Sequence, residues 1–357
     1  EARVSGPVPG SADAHLDLPG RFVRASRLGS GHINDTFLAE FDGGPSVVLQ
    51  RVNRLVFTHA EAMMGNIERV DEHLRARVPD GRRLPRLLRT RAGRSFWTTP
   101  DGGLWRAYTH VPGSETKDVV GRPWDAYQAA RAFGTFQYLM SDLPGAPLSE
   151  TIPGFHDTPR RLAALEAAAK ADEAGRSAGA RPELEWALAR RAWAGLLVDA
   201  AASGAVPTRV AHNDTKINNV LFDSATNEAL CVIDFDTVMP GLMLYDFGDF
   251  TRTSVSPAPE DETDLEKVVV RLAVFEALAQ GWREGSGGTL TDGERALLPD
   301  CGRVISYELG LRFLTDHLEG DRYFKVGRPG HNLERARCQF RLASELERRR
   351  GELAKLC

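Results

Sequence analysis

Short apolar runs broken by turn-forming residues fill positions 21–52: RFVRASRLG at 21–29, DTFLAEF at 35–41 and, after a Gly-Gly-Pro turn, SVVLQRV at 46–52. Runs of this length bounded by Gly, Pro and Asn predict an antiparallel meander. The period then lengthens. Ala60, Met63, Ile67, Val70, Leu74 and Val78 recur every three or four residues, which puts one apolar stripe along one helix. RLPRLLRT (83–90), SFWTTP (95–100) and GLWRAYTHVPG (103–113) again read as strands. Beyond residue 113 helical spacing dominates, first at 123–142 with Tyr127, Ala130, Phe133, Phe136 and Tyr138, then at 157–173, 181–203, 264–283, 291–318 and 331–355. The pattern predicts an α+β chain of two lobes: a small antiparallel sheet with one helix over 21–112 and a larger, mainly helical lobe over 113–357, preceded by a flexible stretch over 1–20.

One β-rich segment, RVAHNDTKINNVLFDSATNEALCVIDFDTVMPG at 209–241, interrupts the helical half. NVLF and ALCVI flank the turn-forming DSATNE, so they predict a hairpin. With Phe222 and Ala229 as near partners, positions summing to about 452 face each other. Asn219 then falls beside Asp234 at the open end. An amide carbonyl beside a carboxylate offers oxygen ligands to a hard cation such as Mg²⁺. Asp214, on the approach, reaches the same space. Asp and Asn at strand ends ordinarily cap turns, but here the set also keeps a spacing: Asp214 to Asn219 is D-x-x-x-x-N, with Lys216 two residues on and Asp234 twenty. That is the spacing of the kinase catalytic loop and its metal-binding Asp. GSGHIN at 29–34 sits between two strands, where Gly29, Ser30 and Gly31 could cover phosphates with backbone N–H groups.

Composition narrows the class. The chain has 357 residues, 42% hydrophobic and 26% charged, with a formal net charge of -4. Nothing calls for nucleic acid, and no apolar run approaches the length of a membrane span. Four scattered cysteines form no C-x-x-C pair, which disfavours a zinc or disulfide framework and suits a reducing cytoplasm. A monomer or weak homodimer is expected.

GSGHINDTFL, VVLQRVN, HNDTKINNVLFD, IDFDTVMPG, YDFGD and LGLRFLTDHLEGDRYF together resemble the aminoglycoside phosphotransferase and choline kinase family, of protein-kinase-like fold, and within it the N-acetylhexosamine 1-kinase type. The resemblance spans roughly residues 25–345. It implies a kinase using ATP and Mg²⁺ to phosphorylate a sugar hydroxyl, the anomeric one of a hexose or N-acetylhexosamine, with an aminoglycoside or amino alcohol as the alternative acceptor. It further implies Asp214 as catalytic base, with Lys216 supplying positive charge, and Asn219 and Asp234 as metal ligands. His32, Asp236, Arg312 and Tyr323 match acceptor-contacting positions, and Tyr108, His110 and Val111 stand in the hinge that meets adenine. Two departures stand out. Gln50 replaces the third-strand Lys, so either Gln50 bonds the phosphates or Arg51 swings in. Thr253 stands where an aromatic able to stack on a sugar is expected. Glu68 is a candidate for the helix Glu of a kinase, and Asp246 and Asp249 for capping a helix or holding the catalytic loop.

Overall fold

The computed structural model describes residues 15–18, 20–29, 33–78 and 84–357. Ser30, Gly31 and His32, and most of the stretch 1–20, lie outside the described residues. The first lobe is an antiparallel sheet of β1 (Phe22–Arg27), β2 (Asp35–Phe41), β3 (Val47–Val52), β4 (Trp97–Thr98) and β5 (Leu104–Thr109), in the order β1-β2-β3-β5-β4. Gly43, at φ 72, makes the β2–β3 turn that a side chain would strain. RLPRLLRT does not form the expected strand. Its described residues contribute two isolated bridges, Leu87 to Tyr108 and Thr90 to Leu16.

Alternation along β3 sorts the lobe into two apolar layers. Val47 and Leu49 pack with Ala39, Trp97 and Trp105 on one face. Val52 and Leu104 pack on the other, under α1 (Ala60–Arg77), against Met63, Met64 and Ile67. Gln50 and Arg106 are cross-strand partners on this α1 face. Arg51 therefore projects away from it and pairs with Asp101 at 2.9 Å, so it does not swing in beside Gln50. Glu68 also points elsewhere, pairing with Arg89 at 3.2 Å.

The second lobe comprises β6 (Ser114–Glu115), α2 (Pro123–Met140), α3 (Thr158–Ala171), α4 (Arg181–Ala189), α5 (Ala192–Ala202), β7 (Arg209–Ala211), β8 (Val220–Asp223), β9 (Ala229–Val232), β10 (Met239–Gly241), α6 (Met243–Ser254), α7 (Leu272–Gly285), α8 (Asp292–Leu318), α9 (His331–Arg348) and α10 (Arg350–Leu356). The periodicity at 181–203 spans two helices, broken where the Arg190 guanidinium lies 4.2 Å from the centroid of Trp186 and 5.4 Å from that of Trp193. The helix expected from 264 begins at Leu272, after the β-branched run Val268–Val270 and after Arg271 N–H has bonded the Val255 carbonyl. α6 was not expected as a helix: its buried residues alternate aromatic with acidic and glycine positions, which masks the stripe. Among the described residues no helix is long and apolar enough to cross a membrane.

Candidate active site

The β8–β9 hairpin forms in the expected register, with Val220 opposite Val232 and Leu221 opposite Cys231. One further bond, from Ile233 N–H to the Asn219 carbonyl at 2.9 Å, brings Asn219 and Asp234 to the open end. Asp234 holds a left-handed backbone at φ 66 and ψ 70. For a residue other than glycine this costs of order 1 kcal/mol or more, and such strain collects at functional sites. Its side chain is exposed to the cleft.

The approach loop is tied down from below. Asp246 on α6 accepts from the His212 N–H at 2.8 Å, the Asn213 N–H at 2.7 Å and Gln137 Nε2 at 2.6 Å. Burial pushes the Asp246 carboxyl up, against these donors and His212. The Asp214 N–H donates to His212 Nδ1 at 3.4 Å, so the ring proton sits on Nε2 and points at the Ile233 carbonyl, 3.1 Å away. His212 thus joins the loop to the hairpin's second strand, clamped edge-on by Phe133 and Phe136.

Asp214 is half-buried. Lys216 Nζ lies 2.6 Å from its Oδ1. Asn219 Nδ2 donates to its Oδ2 at 3.1 Å and to its backbone carbonyl at 2.8 Å. Burial works against ionisation of this carboxyl, but Lys216, His212 and Asn219 outweigh it and hold it below the usual range. The same pairing holds the Lys216 ammonium up. A carboxylate that stays charged beside the Asn219 amide can orient a hydroxyl.

Asn219 spends its amide hydrogens on Asp214, which leaves its amide oxygen as the atom it can offer a cation. The protein packed around Asp234, with the negative charge of Asp236 and then Asp214, pushes its carboxyl up to about 7 against Arg106 and Lys216. Such a group gains from a positive partner. One amide oxygen and one carboxylate fit Mg²⁺, which takes few protein ligands and completes its shell with phosphates and water. Among the described residues no three His, Cys, Asp or Glu gather into a self-sufficient metal site.

A cleft of about 300 Å³ opens above the hairpin, lined by Gly29, Gln50, Tyr108, His110 and Val111 together with Asn219 and Asp234. The expected hinge residues, Gly29 and the expected metal ligands thus line one space. Asp236 lies behind it, 3% exposed, accepting from Asn34 Nδ2 at 2.6 Å and pairing with Arg106 at 2.5 Å. Arg312 and Tyr323 stand apart from these groups: the Arg312 guanidinium sits among the rings of Phe155, Phe324 and Tyr323 at 5.6, 5.6 and 5.9 Å. Thr253, in place of an aromatic, turns its hydroxyl back onto the Asp249 carbonyl at 3.0 Å. Sequence reasoning missed Arg106 and Asn34. The signal for Arg106 was a charged residue on the apolar face of a strand.

Residues 24–286 match the model of the phosphotransferase enzyme family. Among solved structures the chain is similar to a microcompartment-associated aminopropanol kinase, with 20% identity, a TM-score of 0.64 and 97% of each chain covered. It is similar to an aminoglycoside phosphotransferase from Alicyclobacillus acidocaldarius, with 15% identity, a TM-score of 0.61 and coverage of 98% of this chain and 99% of that one. It is also similar to an amicoumacin kinase in complex with AMP-PNP, Ca²⁺ and Ami, with 15% identity, a TM-score of 0.53 and coverage of 93% of this chain and 88% of that one.

Proposed function

Because the chain belongs to the phosphotransferase enzyme family, we propose that it moves the terminal phosphate of ATP onto a sugar hydroxyl, the anomeric one of a hexose or N-acetylhexosamine. The observation that carries phosphotransfer is the open end of the β8–β9 hairpin, where Asp214, Lys216, Asn219 and Asp234 converge under the cleft. In this reading residues 21–112 hold the nucleotide, with Tyr108, His110 and Val111 at its base and Gly29 and Gln50 toward its phosphates.

Asp214 accepts a hydrogen bond from the acceptor hydroxyl and aims its oxygen at the terminal phosphorus. As the new O–P bond forms and the bond to the leaving diphosphate breaks, the hydroxyl proton leaves by way of Asp214. Lys216 places positive charge at the transferring group, and Asn219 keeps the Asp214 carboxylate from rotating. Asn219 and Asp234 would hold the Mg²⁺ that, when bound, neutralises phosphate charge.

The charge balance supports a neutral acceptor. Apart from Asp234, which in this reading takes the cation, and Asp246, held by N–H donors, the carboxylates around the loop are already matched: Asp214 by Lys216, Asp249 by Arg252 at 2.8 Å and Asp236 by Arg106. A polycationic aminoglycoside would call for spare negative charge. The test is phosphate transfer from ATP to free hexoses, N-acetylhexosamines, an aminoglycoside and an amino alcohol side by side, with the phosphorylated position read by NMR. Sugar 1-phosphate as the main product supports the proposal. Preferential turnover of an amine-bearing acceptor overturns the sugar assignment and keeps phosphotransfer.

A further inference from the structure

The third strand lacks the lysine that, in kinases, a helix glutamate holds against the phosphates. On α1, Glu68 faces Arg89, and Asp71, which lines the cleft, is taken up by Arg75 and the Leu87 N–H; the Arg106 guanidinium meets Met64 Sδ of this helix at 3.8 Å. What fills the space is Arg106, only 1% exposed, on the neighbouring strand and directly across from Gln50. Its Nε donates to Gln50 Oε1 at 2.9 Å, and its Nη1 pairs with Asp236 across the lobes at 2.5 Å.

Resting on the phosphotransfer reading, we propose that Arg106 is a positioning residue that makes Gln50 the phosphate donor replacing the lysine. A guanidinium only donates, so the Gln50 atom it meets must be the oxygen. The carboxamide cannot flip, and its nitrogen is turned the other way. One hydrogen goes to Thr36 Oγ1 at 3.1 Å. In this proposal the other enters the cleft that Gln50 and Thr36 both line. Asp236 then plays the part of the missing helix acid: it makes a buried arginine tolerable, since an unpaired buried charge is strongly unfavourable. The arrangement puts a neutral donor in the cleft and keeps the positive charge one layer behind it.

The test compares full-chain variants by calorimetric binding of adenosine and of Mg²⁺·AMP-PNP. Q50E keeps the pairing with Arg106 and the side-chain shape but presents no donor. R106K keeps the charge but not the fork that holds the carboxamide. Both are expected to weaken AMP-PNP binding by about 10- to 100-fold, the size of a lost hydrogen bond to a charged group, while adenosine binds as before. R106M/Q50K, which moves the charge to the third strand, is expected to restore it. On the wild type, the Gln50 side-chain ¹⁵N signals, identified by their loss in Q50E, are expected to shift with Mg²⁺·AMP-PNP and not with adenosine. This measurement does not depend on any Arg106 variant folding. Unchanged AMP-PNP affinity in Q50E, or unmoved Gln50 signals in a wild type that binds AMP-PNP, overturns the proposal and leaves phosphotransfer standing. A wild type that binds no nucleotide overturns both.

Discussion

Asp246 shows how one buried side chain sets the geometry of the loop that carries Asp214. Its two oxygens serve three donors, two of them backbone N–H groups of His212 and Asn213, immediately before Asp214. Asp246→Ala strands all three, and with roughly 1–3 kcal/mol for each unsatisfied buried donor the variant is expected to lose several kcal/mol in urea denaturation. Wild-type stability would mean that water replaces the carboxylate at no cost. Asp214→Asn is a different kind of change. It keeps the shape, but its one oxygen serves only one of the two donors, Lys216 and Asn219; nucleotide affinity is expected to hold while turnover falls about 10²-fold or more, as for a lost general base. Turnover at the wild-type rate would remove Asp214 from the chemistry. Asp214, Lys216, Asn219 and Asp234 were legible because they lie within 21 residues of one another and their spacing is dictated by a hairpin. Arg106, Asn34 and Asp236 were not legible as a group, since they meet only after two strands and two lobes have packed.

At the scale of elements, α2 and α7 lie close because glycines remove the side chains between them. A Cβ at Gly281 would run into the Tyr127 carbonyl, and one at Gly285 into that of Arg131. Gly281→Ala is therefore expected to push the helices apart and destabilise by about 1–3 kcal/mol, the usual range for overpacking. A gain in stability, as better helix propensity alone would give, would contradict this packing. Glu308 joins α8 to α3: it accepts from Thr158 Oγ1 at 2.6 Å and meets His156 Nδ1 at 2.9 Å. Burial opposes its ionisation, but His156, Thr158 and Arg312 prevail and hold its carboxyl below the usual range. A lowered folded value stabilises above the unfolded value of about 4.3, and that stability is lost as pH falls through the folded value. Denaturation midpoints should accordingly fall more steeply below about pH 4 in the wild type than in Glu308→Gln; parallel curves would show that the pair carries no pH-dependent stability. Helices with a clean stripe, such as α1, were readable from the sequence. α6 was not, because the acids that hold the catalytic loop sit on its buried face.

Across the whole molecule the chain passes from sheet lobe to helical lobe between β5 and β6, yet the lobes are also fastened by buried polar side chains. Asn66 on α1 donates to the Ser149 carbonyl at 2.8 Å and the Val238 carbonyl at 3.0 Å, and accepts from the Ser149 N–H at 2.9 Å. Asn34 and Arg106 both reach Asp236, two residues past the Asp234 that would hold the cation. These links span 83 to 202 positions in sequence, which is why the order of elements could be read ahead but not the way the lobes interlock. If the lobes are one cooperative unit, opening either exposes these groups unpaired, so neither lobe gains by unfolding alone. The wild type is expected to melt in one calorimetric transition with equal calorimetric and van't Hoff enthalpies. Mg²⁺·AMP-PNP at about a hundred times its Kd should add about 2.7 kcal/mol to that single transition. Asn66→Ala strands the Ser149 N–H and the Val238 carbonyl at the seam. It should separate the transition in two, with the nucleotide drawing the halves back together because its site is built from both lobes. Two resolved transitions in the unliganded wild type, or a single unshifted one in Asn66→Ala, would show that the seam is not what couples them.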